Sequence, residues 1–224
     1  MNAPPPLVAA ARACHLALTT PSAETAHIPH QTVGDKRTLL FFDGGSRGNP
    51  GPGGAGTVIV HLGGATLTPR VVWMASVSYA SKTTNNIAEY RGLLNGLRYA
   101  ARCKLLGVHV VGDSNFILTQ LRKRKTPRAK HLQGLYTQCR LLADRLMVSS
   151  WSHHLRHFNK TADGLANLAM DTKKNTQVTA AEVASLPSRW TSVIAPLQAD
   201  VDHWMDTHPD QEDRCRASAR RGAP

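Results

Sequence analysis

The chain has 224 residues, with 27 Lys and Arg against 15 Asp and Glu, a formal charge of +12 and a pI near 10.1. That length admits one domain of about 140 residues with extensions, or two small ones; it holds no run of about 18 apolar residues, the least a membrane-crossing helix needs. The charge is uneven, because residues 1–36 are neutral and residues 176–224 carry −2, while residues 37–175 hold 20 Lys and Arg, six Asp and Glu and a net +14.

In chain order, residues 1–36 contain Pro4, Pro5 and Pro6 in succession and are expected to form a disordered extension, with only a faint resemblance to a transit peptide. Thr38 to Phe42 is a short strand-forming run that enters a glycine-rich loop, Asp43 to Gly54. Ala55 to Leu62 and Arg70 to Tyr79 are two further strands, and the short connections favour an antiparallel meander. From Ile87 the apolar residues Ile87, Tyr90, Leu94, Leu97, Ala101 and Leu105 recur at spacings of three and four, the face of a helix whose start Asn85 or Asn86 can cap. Val108 to Val111 is a strand that invites a parallel crossover onto the first. A short helix from Ser114 to about Leu121, a helix from about His131 to Leu146, a strand from Met147 to Leu155 and a last helix from Thr161 to about Lys173 complete the core pattern. The predicted fold is α/β, with a five-stranded mixed sheet (three antiparallel strands, then two parallel additions) flanked by helices. Residues 176–224 form a C-terminal extension in which Val193, Leu197 and Val201 predict one amphipathic helix before a disordered tail.

The field of residues 37–175 draws polyanions, of which nucleic acid is the commonest soluble kind. Against that background, four of the six acids, Asp43, Glu89, Asp113 and Asp163, each fall where an element is predicted to begin or end. Singly each has a plainer explanation: Asp43 before Gly-Gly as a turn residue, Asp113 before Ser114 as a helix cap, Glu89 and Asp163 as first-turn partners of a helix dipole. Together those explanations leave unexplained why nearly all the acids of a basic region sit at such points. One converging site for a hard divalent cation accounts for all four. Cys14, Cys103, Cys139 and Cys215 are too scattered for a zinc pair and read as reduced thiols of an intracellular protein, nuclear or cytoplasmic, with the mitochondrion as the alternative.

The residues around the acids resemble type 1 ribonuclease H in its compact form, which lacks a long basic protrusion. The matching pieces run Phe41-Phe42-Asp43-Gly44-Gly45-Ser46-Arg47-Gly48-Asn49-Pro50-Gly51-Pro52-Gly53-Gly54-Ala55-Gly56, then Thr84-Asn85-Asn86-Ile87-Ala88-Glu89-Tyr90, then Gly112-Asp113-Ser114, then Asn159-Lys160-Thr161-Ala162-Asp163. They span a domain of about residues 37–175, in the order of that family. The resemblance implies an endonuclease that hydrolyses the RNA strand of RNA/DNA hybrids with two Mg²⁺ ions, Mn²⁺ being a substitute, and that works as a monomer. By the same resemblance Asp43 bridges both metals, Glu89 and Asp113 hold the one nearer the leaving group, and Asp163 holds the one that activates water. Gly44, Ser46, Asn49, Thr84, Asn85 and Asn86 are the implied substrate contacts, some of them to the 2′-hydroxyl that separates RNA from DNA.

His153 is the implied loop histidine for product release or proton transfer, with His154, His157 and Arg156 as rivals. The basic stretch Arg122 to Lys130 stands where some relatives carry a longer helical handle, and reads as a backbone clamp, a nuclear localisation signal or a solvated loop. The alternative of another class is a catalytically silent nucleic-acid-binding module of the same fold, derived from a retroelement.

Overall fold

The structure is a computed structural model, and it describes residues 37–63 and 68–208. The expectations of disorder for residues 1–36 and for the end of the chain, and Cys14 and Cys215, lie outside the described residues. Three long strands, β1 (Arg37–Ser46), β2 (Gly51–Leu62) and β3 (Arg70–Thr83), form the antiparallel meander. Helix α1 (Asn85–Arg102) then crosses over to β4 (His109–Gly112), which lies parallel to β1 with Phe42 opposite Gly112. Helices α2 (Asn115–Arg122) and α3 (Lys130–Arg145) lead to β5 (Ser150–His153), parallel to β4, and α4 (Lys160–Thr172) follows.

Among the described residues the sheet has six strands where the sequence pattern predicts five. The sixth, β6 (Thr176–Thr179), pairs antiparallel with β3 and gives the order β5-β4-β1-β2-β3-β6. Four residues with only Val178 buried offer no alternation long enough to read as a strand.

The glycine-rich segment also departs from the expected loop. β1 and β2 stay paired beyond Phe42, with Asp43 opposite Gly56, Gly44 opposite Ala55 and Gly45 opposite Gly54. Glycine usually weakens a strand because it has no side chain to pack. Here the missing side chains let two helices lie directly on the ladder. A Cβ on Gly44 would stand 2.2 Å from the carbonyl carbon of Ala88 in α1, and one on Gly56 would stand 2.0 Å from the carbonyl oxygen of Ala162 in α4. The glycines thereby bring Glu89 and Asp163, each one residue further along its helix, up to the strand that carries Asp43.

The start of α1 is capped by Thr84, not by Asn85 or Asn86: its backbone is extended and its hydroxyl accepts from the amide of Ile87 at 3.3 Å. With the helix beginning at Asn85, Glu89 falls in the second turn, and no acid occupies the first. Replacing the cap, Thr84→Ala, is expected to lower global stability by about 1 kcal/mol, seen as a lower chemical-denaturation midpoint with an unchanged slope.

After β6 the chain forms two helices, α5 (Ser188–Ile194) and α6 (Leu197–Thr207), where the pattern reads one. Pro196, with no amide to continue the first helix, sits at the break. These helices are not peripheral. Trp190, Leu197, Val201 and Trp204 share one core with Leu39 and Phe41 of β1, Val58 and Val60 of β2 and Leu165 of α4. On the other sheet face Leu40 packs towards α1, close to Gly96. No helix among the described residues is long and apolar enough to cross a membrane.

Candidate active site

β1 and β4 are parallel neighbours, so their carboxyl ends lie side by side, the sheet edge at which α/β folds bind ligands. Asp43 and Asp113 both emerge there. Glu89 reaches the same place from α1, and the carboxylate oxygens of Asp43, Glu89 and Asp113 come within 4.8 Å of one another. Asp163, in the first turn of α4, lines the same cavity of about 360 Å³ but stands outside this group of three and is ion-paired with Arg156.

The electrostatics follow from the crowding. Burial raises the Asp43 carboxyl well above its ordinary value, the charges of Asp113, Asp163 and Glu89 add to the rise, and the Gly44 amide, 2.6 Å from Oδ1, opposes it. Burial likewise pushes Glu89 up to about 7, assisted by Asp113 and opposed by the Ser114 hydroxyl that donates to its Oε2 at 2.7 Å. Asp113 is raised by burial too, with Arg156 pulling it down. Three carboxyls gathered within 4.8 Å resist ionising together.

A divalent cation removes that conflict, and the donor set suits one. It consists of oxygens alone, with no thiol or imidazole among the three, as Mg²⁺, Mn²⁺ and Ca²⁺ prefer and zinc does not. The residues therefore fit the metal that the resemblance implies.

The implied substrate contacts divide by position. Gly44, Ser46 and Asn85 line the cavity. The Oδ1 of Asn85 accepts from both the amide and the hydroxyl of Ser46 at 2.9 Å, and the amide of Asn85 donates to Asn49 Oδ1 at 3.3 Å. Asn49 thus joins the network from outside the cavity, Thr84 is the cap of α1, and Asn86 is exposed beside it. Of the histidines, His153 is exposed and its Nε2 donates to the Asp113 carbonyl at 3.1 Å. His154 is buried against Phe41 and His203, and His157 lies against Phe158.

Sequence reasoning passed over two supports. Ser114, at the start of α2, makes no capping bond and fixes Glu89 instead. Asn159, fully buried, donates through Nδ2 to the carbonyl of Phe42 at 3.0 Å and so ties the start of α4 to β1 next to Asp43. Ser114 directly follows Asp113 and Asn159 stands four residues before Asp163, so nearness to an acid in sequence was the available signal. Nothing in local spacing gives their partners.

This architecture, a mixed sheet with acids gathered at the carboxyl ends of its central parallel pair, is the ribonuclease H-like fold. The family model described as "Reverse transcriptase-like" matches residues 41–169. The bifunctional protein Rv2228c of Mycobacterium tuberculosis is 35% identical over 150 residues, covering 67% of this chain and 40% of that protein. Ribonuclease HI of Halobacterium salinarum is 33% identical over 135 residues, covering 60% of this chain and 65% of that enzyme. The chain thus spans less than two thirds of the length of these two relatives. Among solved structures, LC11-RNase H1 in complex with an RNA/DNA hybrid superposes with a TM-score of 0.53 at 27% identity, covering 61% of this chain and 99% of that one. The chain belongs to the type 1 ribonuclease H family.

Proposed function

We propose that the protein is an endoribonuclease that hydrolyses the RNA strand of RNA/DNA hybrids. The observation that carries this reading is the meeting of Asp43, Glu89 and Asp113, from β1, α1 and the end of β4, with their oxygens within 4.8 Å. One buried and two half-buried acids, all raised chiefly by desolvation, are a standing cost to the fold, and a site for divalent cations gives that cost a use. The relatives named ribonuclease H, and the hybrid held by LC11-RNase H1, support the same substrate class.

Asp43, Glu89, Asp113 and Asp163 would hold Mg²⁺, with Mn²⁺ as a substitute. When bound, two such ions supply Lewis acidity at the scissile phosphate and lower the pKa of an attacking water. The protein's own groups do the rest. Ser114 holds the Glu89 carboxylate in one orientation, and the Gly44 amide does the same for Asp43. Arg156 pairs with Asp163 and offsets its charge beside the other acids. Ser46 and Asn85, already bonded to each other at the rim, present backbone and amide groups to a sugar-phosphate strand. His153, exposed and bonded through Nε2 to the Asp113 carbonyl, would be the group that gives or takes a proton or assists product release.

The test is cleavage of a labelled RNA/DNA hybrid in Mg²⁺, beside duplex DNA, duplex RNA and a chelator control. We expect cuts in the RNA strand of the hybrid alone, abolished by chelator. Binding to the hybrid without any cleavage above an Asp113→Asn control would instead establish the silent binding module.

A further inference from the structure

The structure assigns Asp200, in α6, the role of a positioning residue: its carboxylate caps the helix that carries Asp163 and so fixes where that acid stands relative to Asp43, Glu89 and Asp113. The functional half of this inference rests on the hydrolase reading above; the structural half rests on geometry alone.

A helix begins with amides that have no partner within the helix, and the side chain just before it commonly supplies one. At α4 that place belongs to Asn159, which makes no capping bond because its side-chain amide is turned to the Phe42 carbonyl. The acceptor comes from about forty residues further along the chain. Asp200 Oδ1 accepts from the amide of Lys160 at 3.1 Å, and its Oδ2 from the amide of Thr161 at 2.9 Å. Asp200 is 1% exposed and is in none of the ion pairs found among the described residues. A buried carboxylate without a cation is tolerated only where hydrogen bonds and an oriented dipole meet its charge, and the start of α4 offers both.

The placement of α6 turns this bond into a constraint on the site. Val201 and Trp204, one and four residues after Asp200, are fully buried in the core with Leu39 and Phe41 of β1. Asp43 lies two residues beyond Phe41 on the same strand. The start of α4 is therefore tied to the strand of Asp43 twice, directly through Asn159 and indirectly through Asp200 and α6. Asp163 sits three residues beyond Lys160 and, of the four acids, is the one outside the 4.8 Å group. Any loosening of the first turn of α4 alters its reach into the cavity, while the other three acids stay on elements that Asp200 does not touch.

The experiment uses the full chain and Asp200→Asn, which keeps the shape but turns one acceptor into a donor facing a helix amide. Hydrogen exchange at the amides of residues 160–163 is expected to quicken at least about tenfold, with the amides of β1 unchanged. The Mg²⁺ concentration for half-maximal hybrid cleavage is expected to rise about five- to tenfold, with KM for the hybrid within about twofold of the parent, since outer-shell partners of metal ligands act on metal affinity. Unchanged exchange at residues 160–163 overturns the proposal. So does faster exchange with an unaltered Mg²⁺ dependence, which would make Asp200 a support of the fold alone. Should Asp200→Asn fail to fold, Asp200→Ser keeps a hydroxyl acceptor and is read by the same measurements. If the parent does not cleave hybrid, the hydrolase reading is what fails, and the Mg²⁺-induced shift of the Asp163 amide resonance, compared between parent and variant, then decides the positioning role.

Discussion

Asp43→Asn is expected to lower Mg²⁺-dependent hybrid cleavage by roughly three orders of magnitude, about 4 kcal/mol in the barrier, and at the same time to make the metal-free protein more stable. The two signs come from one cause. Asp43 is 5% exposed and stands among three other acids, so its charge is held in the fold against both burial and repulsion. Asparagine keeps the oxygen that accepts from the Gly44 amide and removes the charge. A residue retained for the fold alone would show the opposite pattern, a loss of stability with little change in rate. Cleavage rates in saturating Mg²⁺ and denaturant midpoints in chelator, measured on the same two proteins, separate the possibilities. Loss of both activity and stability would show that Asp43 is needed to hold β1 against β2, and its place in the chemistry would have to be reconsidered.

What the sequence made legible divides along a physical line. The apolar period of Tyr90, Leu94 and Leu97 fixes a helix, and the crossover rule for β4 then puts Asp43 and Asp113 at one sheet edge. Charge scarcity marked the acids themselves. The sequence was less informative where a partner is remote. Thr84 precedes two asparagines that are equally good caps, and only the backbone conformation at Thr84 decides among them. The glycines of β1 and β2 carry the composition of a loop, and the reason they are strand is a contact with Ala88 and Ala162 that lies in other elements. Val193, Leu197 and Val201 were visible as an apolar stripe, but what they cover was not. The sharpest case is Asp200. One more acid in an acidic tail carries no local signal, because its meaning lies in two amides about forty residues away.

Glu89→Gln provides the second large effect, and it is read as a function of pH in the absence of metal. Burial raises the folded-state pKa of Glu89 from the ordinary value near 4.5 to about 7. Below about pH 4.5 the side chain is neutral in both folded and unfolded chains, and the parent loses nothing. As pH rises through 7 the folded protein must ionise a group that the unfolded chain ionises more readily, so stability is lost across that window, by about 2 to 3 kcal/mol once residual exposure is allowed for. The parent's own profile will not display this cleanly. His109 and His154, both lowered by burial to about 4, contribute stability above about 6.5 that is lost as pH falls through 4, which runs in the opposite direction over the same range. The difference between parent and variant cancels the histidines, because both proteins contain them. We therefore expect Glu89→Gln to match the parent at pH 4.5 and to exceed it by about 2 to 3 kcal/mol at pH 8 in chelator. Mg²⁺ should then reverse the order at pH 8, because an ion bound only by the folded state stabilises the parent by mass action and the variant holds it less well. Equal stabilities at both pH values would mean that Glu89 ionises freely in the folded protein, and the electrostatic case for a cation between it and Asp113 would fall.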